Sequence, residues 1–142
     1  MQVCGSRFSD IIIVKLDAGE EVISTLREWV IEQQNFSGSF YAIGALGRAV
    51  LGYFDPHARD YIKIPVDSQA EVASMLGNVA VGEDGTPILH IHAVLSFPDG
   101  HTIGGHLFEG IVNPTLEITF FPLRILLLRR HDPSTGLKLL SF

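Results

Sequence analysis

Only one stretch of this chain repeats its apolar residues at helical spacing, and that limits the possible folds more than any other feature. Val22, Ile23, Leu26, Trp29 and Val30 recur every three or four positions while Glu21, Arg27, Glu28 and Glu32 occupy other faces, which predicts one amphipathic helix running to about Gln33. Its start is expected near Asp17, because Asp17-Ala18-Gly19-Glu20 has capping-box spacing. Upstream, Ile11-Ile12-Ile13-Val14 is a β-branched run suited to a buried strand. From Phe40 onward the chain changes to short β-rich runs at 40–43, 49–54, 61–65, 72–81, 88–97, 102–109 and 115–130. Asp55-Pro56, Glu83-Asp84-Gly85, Pro98-Asp99-Gly100 and Asn113-Pro114 punctuate them. One helix among many strands predicts the α+β class.

The 142 residues hold no internal repeat, low-complexity tract or linker, so a single domain over 1–142 is expected. Charged residues make up 18% of the chain against about 25% in an average soluble domain. With a mean hydropathy of +0.29, the chain has more apolar surface than one small domain easily hides, which points to a subunit interface. Cys4 is the only cysteine, so an intrachain disulfide and multi-thiolate metal sites are excluded, and a reducing compartment fits. Met1 to Arg7 lacks an apolar signal core and no run approaches the ~20 apolar residues of a membrane span, so a cytoplasmic location is expected.

The net charge of −6 is unevenly spread. Between Ile64 and Leu123 there is no Lys or Arg, while Asp67, Glu71, Glu83, Asp84, Asp99, Glu109 and Glu117 lie there with four of the six histidines. Such a window attracts cations and repels phosphate, which disfavours direct nucleic-acid binding through it. The basic residues fall before it, from Arg7 to Lys63, or after it, where Arg124, Arg129, Arg130 and Lys138 form one cluster. That cluster reads as a solvated strand end.

Within the window, the segment 88–109 carries the most chemistry. His90 and His92 stand two apart on an expected strand, so their side chains leave the same face about 6.5–7 Å apart. Whether His106 joins them depends on the turn between the strands, since a one-residue slip sends a side chain to the opposite face. Pro98-Asp99-Gly100 suits a three-residue loop with glycine in the left-handed position, which pairs Phe97 with His101 and sets His106 across from His92. A two-residue Asp99-Gly100 loop would break that arrangement, and Gly104-Gly105 has the composition of a second bulge. Three neutral imidazoles with an open fourth position match a zinc site, while nickel, cobalt, copper and iron also accept such ligands. The competing reading is three unrelated histidines with satisfied ring nitrogens.

The remaining polar candidates each carry two readings. Glu117 sits opposite the apolar face of Leu116, Ile118 and Phe120, where it either supports the centre by orienting a histidine or acting as acid/base, or is an exposed strand carboxylate. Asn78 after Gly77 is either a pocket residue or a strand-end turn residue, and the turn is favoured. His57 is expected on an exposed loop, His101 beside the hairpin turn and His131 beside Asp132-Pro133, none as ligands. Gly44-Ala45-Leu46-Gly47 lacks the lysine of a phosphate loop, and no Gly-x-Ser-x-Gly elbow is present, so nucleotide hydrolysis and serine-hydrolase chemistry are unsupported. Gly44 and Gly47 are expected to permit a tight turn or a close strand approach.

An ordered series of short motifs resembles the plants-and-prokaryotes-conserved (PPC) domain. They are Leu16-Asp17-Ala18-Gly19-Glu20, Ile43-Gly44-Ala45-Leu46, Leu51-Gly52-Tyr53-Phe54-Asp55, Leu76-Gly77-Asn78, Leu89-His90-Ile91-His92-Ala93, Gly104-Gly105-His106-Leu107 and Pro114-Thr115-Leu116-Glu117. The tail Arg130-His131-Asp132-Pro133-Ser134-Thr135-Gly136-Leu137 is similar too. The resemblance implies a largely antiparallel sheet with one main helix, assembled as a homotrimer, with a metal at His90, His92 and His106. Similar domains in plants follow an AT-hook in nuclear DNA-binding regulators. This chain has no Arg-Gly-Arg hook, and Ser68-Gln69-Ala70-Glu71-Val72-Ala73 stands where the plant domains carry a Gly-Arg-Phe-Glu-Ile-Leu-like segment.

Three functions are therefore carried forward. The first is a trimeric protein holding a divalent metal, zinc foremost, through His90, His92 and His106, with room for a small-molecule ligand and with Glu117 in support. The second is a DNA-associated regulatory module using the basic C-terminal strand. The third is a structural trimerisation domain without chemistry of its own.

Overall fold

The computed structural model describes residues 1–5, 11–34 and 37–141; Arg7 and the side chain of Cys4 lie outside that description. Among the described residues nine strands and one helix follow one another as β1 (Gln2–Gly5), β2 (Ile12–Asp17), α1 (Val22–Glu32), β3 (Gly38–Asp55), β4 (Asp60–Val66), β5 (Ala70–Val81), β6 (Pro87–Ser96), β7 (Thr102–Pro122), β8 (Leu128–His131) and β9 (Lys138–Ser141). This is the α+β architecture expected. Every strand pairing is antiparallel except the single contact of Val81 with Leu128.

The strands form one sheet in the order β1-β2-β7-β3-β5-β8-β9, with β4 added to β3 and β6 paired to both β5 and β7. Because β3 pairs β5 and β7, and β6 pairs β5 and β7, these four strands close a ring of pairings and the sheet curls back on itself. The core lies on one face. There Val14, Leu16, Leu46, Leu51, Ile91, Leu95, Leu107 and Ile118 meet Val22, Leu26 and Trp29 of α1, and Trp29 stands edge-on to Phe120 with centroids 5.1 Å apart.

Several boundaries differ from the sequence expectation. The helix begins at Val22 rather than near Asp17, because Asp17 still pairs Thr115 as the last residue of β2. Glu20 does turn back on Asp17, its Oε2 accepting that backbone N–H at 2.7 Å, but the cap belongs to Glu21, whose carboxylate accepts from the N–H groups of Ile23 and Ser24. The runs at 40–43 and 49–54 merge into β3, and those at 102–109 and 115–122 merge into β7. Long strands carry both through their polar or glycine interruptions because each is paired on both sides for most of its length. The Asn113-Pro114 punctuation survives as an irregularity: β3 pairing skips from Leu116 to Val112, and Gln69 and Asn113 hydrogen-bond each other there. The Ile11-to-Val14 run alternates, with Val14 buried and Ile13 exposed, so it is a one-sided strand. The β8 and β9 hairpin divides the expected run at 115–130 and adds an element that the sequence reading lacks.

Gly44 holds the crossing of β3 and β7 together. Its φ is +145°, and a Cβ there would stand 2.2 Å from the Thr115 carbonyl oxygen, backbone that cannot move aside. Gly44→Ala is expected to cost about 1–3 kcal/mol in urea unfolding. Gly47→Ala, which meets only a side-chain carbon of Asn113 at 3.2 Å, should cost less.

Candidate metal centre

The histidines reach one another through strand parity. In β6, Ile91, Ala93 and Leu95 are buried in the core, so His90 and His92 project from the opposite, outer face. The turn then forms the three-residue loop expected of Pro98-Asp99-Gly100. Phe97 N–H donates to the His101 carbonyl at 3.1 Å, Gly100 N–H donates to the Phe97 carbonyl at 2.8 Å, and Gly100 has φ +84°. The Phe97 and His101 rings stack 4.4 Å apart beside it. From that pair the register runs without a slip to His92 opposite His106. Gly104-Gly105 is therefore not a bulge against β6. Gly105 serves a close approach instead, since a Cβ there would lie 2.6 Å from the Gly52 carbonyl oxygen of β3.

The ring centroids of His90, His92 and His106 are 5.0, 5.2 and 5.7 Å apart, and a nitrogen from each lies within 4.8 Å of the others. A tetrahedral ion with bonds of about 2.0–2.1 Å sets its nitrogen ligands about 3.4 Å apart, within reach of small χ adjustments. The donors also fit. His106 Nδ1 is buried without a hydrogen-bond partner, a state that costs about 1–3 kcal/mol and that a metal bound at that nitrogen would relieve. Among the described residues this is the one group of His, Cys, Asp or Glu with such geometry.

What surrounds the cluster was not legible in the sequence. Arg129, expected at a solvated strand end, is only 6% exposed. Its Nη1 donates to the Lys138 carbonyl at 2.8 Å and its Nη2 to Asn78 Oδ1 at 2.9 Å, with His90 Nδ1 3.2 Å from the same Nη2. Asn78 thus lies within β5, opposite His90 and accepting from Arg129, and is not a turn residue. On the other side Tyr61 of β4 and Phe108 pack against His106 with centroids 5.1 and 4.8 Å away.

Glu117 is placed elsewhere. It is an exposed residue of β7 between Lys15 of β2 and Ile43 of β3, whereas His106 meets β3 at Gly52. His57 and His131 are exposed, and exposed His101 hydrogen-bonds Asp99 at the turn. Arg129 and Tyr61 are neighbours that sequence reasoning missed, and Asn78 is one it named but placed at a turn. The similarity of the tail motif was the one signal that the C-terminal hairpin mattered.

Comparison with known proteins agrees with this fold. A sequence model of the Plants and Prokaryotes Conserved (PCC) domain matches residues 5–123. No curated protein sequence matches the chain. A metal-containing protein of Archaeoglobus fulgidus shares 32% identity over 93% of each chain, with a TM-score of 0.87. A plant- and prokaryote-conserved (PPC) protein of Pyrococcus horikoshii shares 26% identity over 99% of this chain and 95% of its own, with a TM-score of 0.86. A Bacteroides thetaiotaomicron protein provisionally named as DNA-binding shares 25% identity over 99% and 97%, with a TM-score of 0.91.

Burial decides the charge of the centre. It pulls the His106 pKa down to about 4, with the neighbouring His90, His92 and Arg129 charges acting in the same direction, and it lowers His90 as well, ahead of Arg129 and His92. His90 and His106 are therefore held in the neutral form that a metal requires. An unfolded histidine titrates near 6.5. Between 6.5 and 4 the unfolded chain binds protons that folded His106 refuses, so the metal-free protein keeps its full stability above that window and loses it as pH falls through it. The expected loss in chemical unfolding between those pH values is about 1–3 kcal/mol, allowing for solvent screening of a half-buried ring, and His106→Phe should flatten the slope.

Proposed function

The chain belongs to the Plants and Prokaryotes Conserved (PCC) domain family, and on that footing we propose that it is a homotrimeric protein holding one divalent ion per subunit, zinc foremost, through His90, His92 and His106. The observation that carries this reading is the convergence of three imidazoles on the outer face of one hairpin, with a buried ring nitrogen left unpartnered. The similarity to a metal-containing archaeal protein supports it. Glu117, expected to support the centre as acid/base or by orienting a histidine, is left out of this proposal, since on β7 it pairs with Lys15 and Ile43. With three protein ligands, the ion retains a position for a small molecule.

The trimer draws its support from the outer face of the sheet. Ile13, Tyr41, Ile43 and Leu76 are 43, 48, 57 and 60% exposed. The pairings Ile13 to Thr119, Thr119 to Tyr41, Tyr41 to Leu76 and Leu76 to His92 make one continuous row that ends at the metal ligands. Exposed apolar surface of this extent marks an interface. Among the described residues no helix is long and apolar enough to cross a membrane, and a cytoplasmic setting is part of the proposal.

The provisional DNA-binding name of the Bacteroides neighbour favours a second reading, in which a trimer grips a duplex through Arg124, Arg130 and Lys138. Burial of Arg129 removes one charge from that patch, and the acidic surplus is multiplied in any trimer. Absence of a duplex mobility shift at low salt would end this reading.

Elemental analysis of the purified protein should find about one ion per chain, and His90→Ala/His92→Ala should lower it to near zero; equal content in both would remove the site. In sedimentation equilibrium the protein should weigh about three times the 15.6 kDa chain. Leu76→Asp should shift it to the monomer, since a carboxylate in the centre of an apolar contact costs more than the contact gives.

A further inference from the structure

Beside the histidines lies a pocket of about 230 Å³, whose polar lining is His90, His106, Arg129 and Lys138 and whose remaining walls are Tyr61 with four Ile and Leu residues. It is smaller than the about 300–1,000 Å³ of sites for drug-sized ligands. Arg129 is buried there without a counter-charge. Its three acceptors are the Lys138 carbonyl, the Asn78 amide oxygen and the His90 imidazole, all neutral, and among the described residues no carboxylate lies within ion-pair distance. Its Nε is buried and has no acceptor at all. A buried guanidinium with neutral acceptors and an idle donor is an unfinished ion pair.

A metal at the histidines sharpens the imbalance, because it adds two positive charges against three neutral ligands. It also releases a donor. His90 Nδ1 can accept from Arg129 only while the ring proton sits on Nε2. An ion at Nδ1 takes that lone pair, and an ion at Nε2 sends the proton to Nδ1; in both cases Arg129 loses this acceptor. An anion is what both cations then lack.

Building on the metal reading above, we infer that the three-histidine centre and Arg129 together bind a small organic carboxylate, its head group shared by ion and guanidinium and its short apolar chain lying against the aliphatic walls. The planar pair of oxygens suits the guanidinium fork, and the Ile and Leu walls favour an anion with a hydrocarbon tail over inorganic phosphate.

The test uses the zinc-loaded, ¹⁵N-labelled full chain, with zinc content measured on the same sample, titrated with butyrate, butyramide and inorganic phosphate. The readout is the arginine Nε–H signal whose solvent exchange is slowed by burial. Butyrate should shift it saturably while butyramide leaves it in place, and Arg129→Met should weaken butyrate binding about 10- to 100-fold with zinc retained. If that variant does not fold, the wild-type arms decide. Full zinc with no butyrate response overturns the anion site and leaves the metal centre standing, whereas absence of zinc overturns both. An equal response to butyramide reduces the pocket to an apolar cavity, and tighter binding of phosphate overturns the carboxylate class.

Discussion

A side chain in an extended strand moves to the opposite face when its pairing slips by one residue, and the whole three-histidine cluster rests on that parity in the β6 and β7 hairpin. The histidines do not enforce it themselves. Ile91, Ala93, Leu95 and Leu107 are all buried on the inner face, and a slip would carry the whole set into solvent. Each large aliphatic side chain stabilises the fold by about 1.5–3 kcal/mol through burial, so the core holds the register with a margin of several kcal/mol. The loop at Pro98-Asp99-Gly100 agrees with the same register, and Gly105 lets β3 approach closely enough to keep β7 in line. Site geometry is thus a by-product of core packing on the other side of the sheet.

That division explains what could be read from the sequence. The hairpin was legible because its determinants are local: a Pro-Asp-Gly turn, an alternating strand and two-residue histidine spacing. The helix face was legible for the same reason, although its first turn was misplaced, since Asp17 is kept in β2 by Thr115, a partner far along the chain. Merging of the runs within β3 and within β7 depends on neighbours on both edges, which no local pattern reports.

Arg129 was illegible for a stronger reason. Arginine is among the residues least often buried, so any prior sends it to the surface. Its burial comes from partners at sequence separations of 51 and 39, Asn78 and His90, assembled only when the C-terminal hairpin folds over the outer face. Asn78 was misjudged with it, because the turn-like pair Gly77-Asn78 has its meaning reversed once a guanidinium stands opposite. The glycine there makes room for Phe40, whose ring carbon would sit 2.3 Å from a Cβ.

A fixed cation beside a cation site has a thermodynamic consequence. A divalent ion held by the three imidazoles would be repelled by the buried Arg129 guanidinium, a penalty those ligands would have to overcome unaided. An anion held between the two charges converts that repulsion into two attractions, so ion and anion must bind with positive coupling, each tightening the other by the same factor. A histidine triad designed only to hold a structural ion gains nothing from a neighbouring arginine. One designed to hold its ion firmly in the presence of a negatively charged ligand gains a switch, and burying Arg129 with neutral acceptors keeps its charge available for that purpose.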